Sequence, residues 1–221
     1  METMKKLFIL MLMADLLTGC SDDEPQVLTP TATGNMQDQD GNTYRWVRID
    51  TLDWMAENMR GGTRWFDQSR QRFSVGSLDE DEQLFDVFGN YYTYSEALAL
   101  CPDGWRLPTD DDWKCLERAS GMKAAETDLT GWRGNIRQQL TNPEGVGLRY
   151  GGELAATTTT WVGKYHVYDY GIYWSATVDE SSVQRSAYFR KLTPAMDGVQ
   201  RVAAPTGTRW YSVRYVRRST Q

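Results

Sequence analysis

One histidine, His166, three cysteines and seven prolines in 221 residues set the first limits on this chain. A His-rich metal centre cannot be built from it. Any Ser-His-Asp or Cys-His catalytic set would have to pass through that single imidazole. Apolar runs long enough to cross a bilayer, about 20 residues, are missing too. Positive charge is in short supply: 24 Lys and Arg stand against 30 Asp and Glu, a formal net charge of −6. Nucleic acid is therefore not an expected partner, because binding it rests on neutralised phosphates. What is present is an ordinary globular balance, 40% hydrophobic and 24% charged, long enough to bury a real core. Aromatics reach 12%, with nine Trp and twelve Tyr, more than a core alone usually needs.

The first twenty residues read as an address. Lys5-Lys6 precede the apolar run Leu7 to Ala14, and Leu17-Thr18-Gly19-Cys20 closes the segment. A basic start, a short apolar stretch and small residues before a cleavage point make a secretory signal over residues 1–19. Leu-Thr-Gly-Cys resembles the bacterial lipobox, whose cysteine is lipidated, so Cys20 is the expected membrane anchor. Asp15 inside the apolar stretch departs from that pattern. The acidic run Ser21-Asp22-Asp23-Glu24 resembles the export signal of Bacteroidetes surface lipoproteins, or is simply a polar linker. Residues 20–39, rich in Thr, Pro, Gly and Gln, are expected to form a flexible acidic tether, with the folded body over 40–221.

That body opens with a turn, Asp38-Gln39-Asp40-Gly41-Asn42, and the alternating strand Thr43–Ile49. The turn has the look of a calcium loop, but Arg48 and Ile49 stand where a bidentate acid would be needed. A second strand is expected over Trp54–Met59, and residues 60–83 read as a long surface loop. Tyr94, Ala97, Leu98 and Cys101 share a helical face, which Pro102 terminates. Thr109 with Asp112 three residues on predicts a capping box, and Trp113, Leu116 and Ser120 then line one side of the helix that follows. One more short helix is expected within Gly131–Leu140. Strands are expected over 147–150, 157–162, 171–177, 187–192, 199–203 and 210–217, the last with Tyr211, Val213 and Tyr215 facing the core.

Trp54-Met55-Ala56-Glu57-Asn58, Cys101-Pro102-Asp103-Gly104-Trp105-Arg106-Leu107-Pro108-Thr109, Tyr173-Trp174-Ser175-Ala176-Thr177 and Ser212-Val213-Arg214, in this order, resemble the Fibrobacter succinogenes major paralogous domain family over about residues 40–217. The resemblance implies an α+β fold of antiparallel strands and two main short helices, the C-type-lectin-like variant of the formylglycine-generating-enzyme superfamily. It also implies a secreted or surface-anchored protein. Those enzymes work through cysteines near the C-terminal end of the domain, and this chain has none beyond Cys115, so fold carries over and catalysis does not. Family members often place a cysteine after Ser-Val-Arg, where this chain has Tyr215. Cys101 then either pairs with Cys115 or stays free. In an oxidising compartment the pair is the expected outcome, worth about 3 kcal/mol; against it stands the position of Cys115, about 200° from Trp113 around the helix.

Residues 182–221 hold eight basic side chains and one acid, Asp197, a basic face that could grip an anionic partner, neutralise the acidic stretch at 79–86 or protect a sheet edge. Trp161, Tyr165, Tyr168 and Tyr170 crowd around His166 between two expected strands. Exposed, they are candidate ligand-binding rings for a glycan or a surface protein; buried, they plug the core beneath a loop. The sequence as a whole points to an outer-membrane, surface-exposed lipoprotein without catalysis, cofactor or metal. Its body is expected to bind glycans or mediate adhesion, or to be a structural or assembly subunit of a surface complex or fimbria-like appendage.

Overall fold

Thr43–Ile49, the clearest alternator of the N-terminal half, lies inside a four-stranded antiparallel sheet. The computed structural model describes residues 27–65, 78–156 and 161–219; the side chains of 78–80, 155, 156 and 161–165 fall outside that description. Strands β1 (Ala32–Gln37), β2 (Thr43–Ile49) and β3 (Leu52–Met55) form two hairpins. The last strand, β11 (Val216–Arg218), joins β3, giving the order β1-β2-β3-β11.

Between them come helices α1 (Leu78–Phe88), α2 (Tyr94–Ala99) and α3 (Asp110–Ala119), strand β4 (Gly131–Arg133) and helix α4 (Arg137–Thr141). The remaining strands are β5 (Glu153–Ala156), β6 (Trp161–Tyr165), β7 (Gly171–Asp179), β8 (Ser186–Leu192), β9 (Val199–Pro205) and β10 (Arg209–Trp210). They make one sheet of order β10-β5-β6 and another of order β4-β9-β8-β7. The described part is thus a mixed α and β structure of antiparallel sheets and four α-helices.

Several expectations are corrected. The tether does not run to residue 39, because Ala32–Gln37 are strand β1 in unbroken register with β2. Gly34 and Asn35 are of types depleted in strands, so pairing with β2 decides here, not composition. The loop at 60–83 yields to helix from Leu78. Residues 147–150 form no strand, and the expected helix over Gly131–Leu140 is split into β4 and α4. The final strand is broken: Tyr211 and Ser212 make isolated bridges, and only Val216–Arg218 enter the first sheet. Leu98 is not on the buried face of α2; it is 45% exposed while Tyr94 and Ala97 are covered.

The turn at 38–42 is built by its own side chain. Asp38 accepts the amides of Asp40 and Asn42 at 3.0 and 2.9 Å and the Tyr44 hydroxyl at 2.6 Å. Both short helices carry reciprocal capping boxes, Thr93 with Glu96 and Thr109 with Asp112, each worth ~1 kcal/mol. Trp113, Leu116 and Ser120 of α3 are buried as the helical spacing requires. Trp113 meets Trp54 of β3 with centroids 5.0 Å apart, in the core cluster between the first sheet and α3. A second core cluster gathers Tyr92, Tyr94, Trp174, Tyr211 and Tyr215.

The C-terminal basic face is interior at Arg190, Arg201 and Arg214, while Arg185 and Arg218 are exposed. Arg190 is fully buried and donates to Glu117 and Asp110 at 2.5 and 2.8 Å, and Arg201 donates to Asp110 at 2.7 Å. Arg133 adds a further bond to Glu117 at 2.8 Å. The acids that neutralise these arginines belong to α3, not to the stretch at 79–86. Arg214 is also fully buried, and no carboxylate among the described residues touches it. It donates to Asn58 Oδ1 at 2.6 Å and to the carbonyls of Met55, Val146 and Gly147. Burial lowers its guanidinium to about 10.

Candidate functional site

Five residues, 166–170, connect β6 to β7, and they hold an unusual backbone. His166 and Tyr168 sit at φ 59° and 75°, in the left-handed region that costs a residue with a Cβ roughly 1–2 kcal/mol. The turn closes with Asp169 N–H donating to the His166 carbonyl at 3.0 Å. Two longer-range bonds fix it to the body: Tyr168 N–H to the Tyr150 carbonyl at 2.7 Å and Gly152 N–H to the Tyr170 carbonyl at 2.6 Å. The outcome is a ring held outward. Tyr168 is 66% exposed, and one edge of it rests on Phe88, with centroids 5.2 Å apart.

The four candidate rings separate. Trp161 and Tyr165 contribute backbone to β6, and their side chains lie outside the described residues. Tyr170 is half-buried and its ring is already engaged: His166 stacks on it at 5.0 Å, and Lys191 Nζ lies 3.7 Å from its centroid. Its hydroxyl donates to Glu153 at 2.8 Å, and Glu153 in turn pairs with Arg209 at 3.2 Å. Burial and that bond both push the Tyr170 phenol above its ordinary range. The core-plug reading therefore describes Tyr170, and the open-ring reading describes Tyr168.

Beside Tyr168 the structure assembles residues that the sequence reading did not single out as a site. A polar recess of about 180 Å³ is lined by Glu57, Asn58, Arg60, Asp86, Val87, Gly89 and Arg149. Its lining residues Val87, Gly89 and Arg149 are chain neighbours of Phe88, which carries the Tyr168 ring, and of Tyr150, which accepts the Tyr168 amide. Glu57 accepts the Arg45 amide at 2.7 Å and pairs with Arg60 at 3.1 Å. Burial acts upward on this carboxyl, yet those two partners hold it below the usual range. Arg149 is exposed and has no ion pair among the described residues. The available signal was the Ala56-Glu57-Asn58 segment, which alternation alone assigns to a strand although the strand ends at Met55. An exposed ring can stack against an apolar sugar face while the Glu57–Arg60 pair and the exposed Asp86 and Arg149 hydrogen-bond its hydroxyls.

Cys101 and Cys115 do not form a disulfide; both are free thiols. Cys101 packs against the second core cluster, and burial pushes its thiol to about 11, only partly opposed by Arg106. Cys115 faces elsewhere on α3, 3.0 Å from Arg118 Nη2, as its angle from Trp113 implies. Cys20 lies outside the described residues. Among the described residues no group of three or more His, Cys, Asp or Glu could hold a metal ion, and no helix is long and apolar enough to cross a membrane.

Residues 47–217 match the model of the Fibrobacter succinogenes major domain, and the chain belongs to that family. No curated protein matches it. No solved structure matches it either.

Proposed function

We propose that this family member is a surface-anchored lipoprotein whose body is a non-catalytic recognition module, binding glycans through Tyr168 and the polar recess beside it. The observation that carries the reading is the Tyr168 ring itself, held outward by a left-handed backbone that two hydrogen bonds to the body enforce. A strained, exposed aromatic beside charged groups is a common device of recognition sites. We further assign the fold to the C-type-lectin-like variant. Support comes from the pairing of β3 with β11, which brings the two ends of the domain into one sheet. The anchor in this reading is Cys20, at the outer face of the outer membrane.

The test is a glycan array probed with the wild-type chain and with Tyr168→Ala and Arg149→Ala. Saturable binding that both substitutions weaken is the expected result. Absence of binding across broad arrays, or binding indifferent to both changes, overturns the reading.

A second reading, a subunit of a surface assembly, draws on β1. This edge strand runs six residues in unbroken register and carries no charge and no proline, the usual guards against strand addition. A stable co-purifying partner whose yield falls in a β1 Asn35→Pro variant supports it; a monomer in detergent extracts rejects it.

A further inference from the structure

We propose that the cleft between α3 and the first sheet is a second ligand site, for a small hydroxylated monocarboxylate of the sugar-acid class. It shares no residue with the Tyr168 recess and does not rest on that reading.

The topology makes the cleft. Arg218 of β11 pairs with Leu52 of β3, and Val216 pairs with Trp54, so strand alternation puts Leu52, Trp54 and Arg218 on one face. Helix α3 presents Asp112, Cys115 and Leu116 to the same space, which helical spacing places together. The volume between them is about 370 Å³, within the range of small-molecule sites. Its floor is apolar and tightly covered, with Trp54 and Leu116 each 1% exposed. Its rim is polar: Arg106, Arg218, Asp50 and the hydroxyl residues Thr51 and Ser219.

Charge and bonding then narrow the ligand. Asp112 is fully occupied, since both of its oxygens accept the Arg106 guanidinium and it also takes the Thr109 amide and hydroxyl at 2.7 Å each. Burial acts upward on its carboxyl, but Arg106 and Thr109 hold it below the ordinary range. Arg218, by contrast, is exposed and has no ion pair among the described residues. Arg118 reaches the cleft wall through its contact with Cys115. An unpaired guanidinium matches a carboxylate bidentately. Asp50 on the same rim repels a second negative charge and offers an acceptor for hydroxyl groups, which disfavours phosphate and favours a hydroxylated monoanion.

Cys115 supplies the reporter. The full chain is treated with N-ethylmaleimide in the presence of D-glucuronate, and alkylation of Cys115 is read by peptide mass spectrometry. Glucuronate at ten times its dissociation constant is expected to slow the reaction about tenfold by mass action. D-glucose and inorganic phosphate are expected to leave it unchanged. Arg218→Gln is expected to raise the half-protection concentration about tenfold or more, with Arg218→Lys in between. A glucuronate-dependent rise in wild-type melting temperature gives a readout that does not depend on any variant folding. The proposal is overturned if protection does not saturate, if glucose or phosphate protects equally, or if Arg218→Gln protects as well as wild type.

Discussion

Arg201 and Asp110 meet through three hydrogen bonds, from Nε at 2.9 and 3.0 Å and from Nη2 at 2.7 Å, although 91 residues separate them in sequence. Asp110 also accepts Arg190 at 2.8 Å and lies 3.1 Å from Lys114 Nζ. Removing this carboxylate charge leaves two buried guanidiniums short of a partner. Asp110→Asn is expected to destabilise the fold by roughly 3–5 kcal/mol, read from the urea midpoint.

The same residue sets the acid limit. Burial alone would raise the Asp110 carboxyl, but the Arg201 bonds and the Arg190 charge hold it well below the carboxylate range. A carboxyl depressed in the folded state contributes stability that is complete above its unfolded value, near pH 4, and declines as pH falls below that. Melting temperature should therefore hold level through mildly acidic pH and drop steeply beneath about pH 4. In Asp110→Asn that acid limb flattens; an unchanged limb would assign it to other groups.

Tyr168→Gly separates recognition from folding. Glycine accepts φ 75° without a Cβ penalty, and this gain offsets the lost edge contact with Phe88. Stability is expected to stay within about 1 kcal/mol of wild type while array binding is lost. A large fall in the urea midpoint would make Tyr168 a structural residue.

The thiols should behave differently under native conditions. Both are partly buried, but Cys115 sits beside Arg118, whereas Cys101 packs against the second core cluster and burial pushes its thiol to about 11. Maleimide is expected to label Cys115 in the native chain and Cys101 only after unfolding. A Cys101–Cys115 peptide in non-reduced digests would contradict this.

Gly171 admits no side chain. A Cβ there would stand 2.0 Å from the Arg149 carbonyl oxygen, a backbone atom that cannot swing aside. Gly171→Ala is expected to cost about 3 kcal/mol, whereas Gly207→Ala, which meets nothing within 4 Å, should change stability by no more than about 0.5 kcal/mol. Paired thermal melts of the two variants decide this.

Local rules carried the sequence reading furthest. The Thr109–Asp112 box, the buried side of α3 and the core positions of Tyr211, Val213 and Tyr215 follow from spacing over a few residues, and all are present. Long-range pairing was not legible. Arg190 and Arg201 read as surface charge because their acids, Asp110 and Glu117, lie 73 to 91 positions away. Strand β1 escaped because its polar residues pair only once β2 is beside them. At the site, the aromatic cluster was visible, but a count of rings does not show that Tyr170 is already stacked and Tyr168 is not. The recess needs Glu57, Asp86 and Arg149 from three separate segments, which no single stretch of sequence brings together.

The bond from Arg217 to Asp53 spans 164 positions. A ribosome releases Asp53 long before Arg217 exists, so β3 waits with one flank bare for nearly the whole of synthesis. Closure of this sheet is consequently an event of the finished polypeptide, because until Arg217 is made β3 has only β2 beside it.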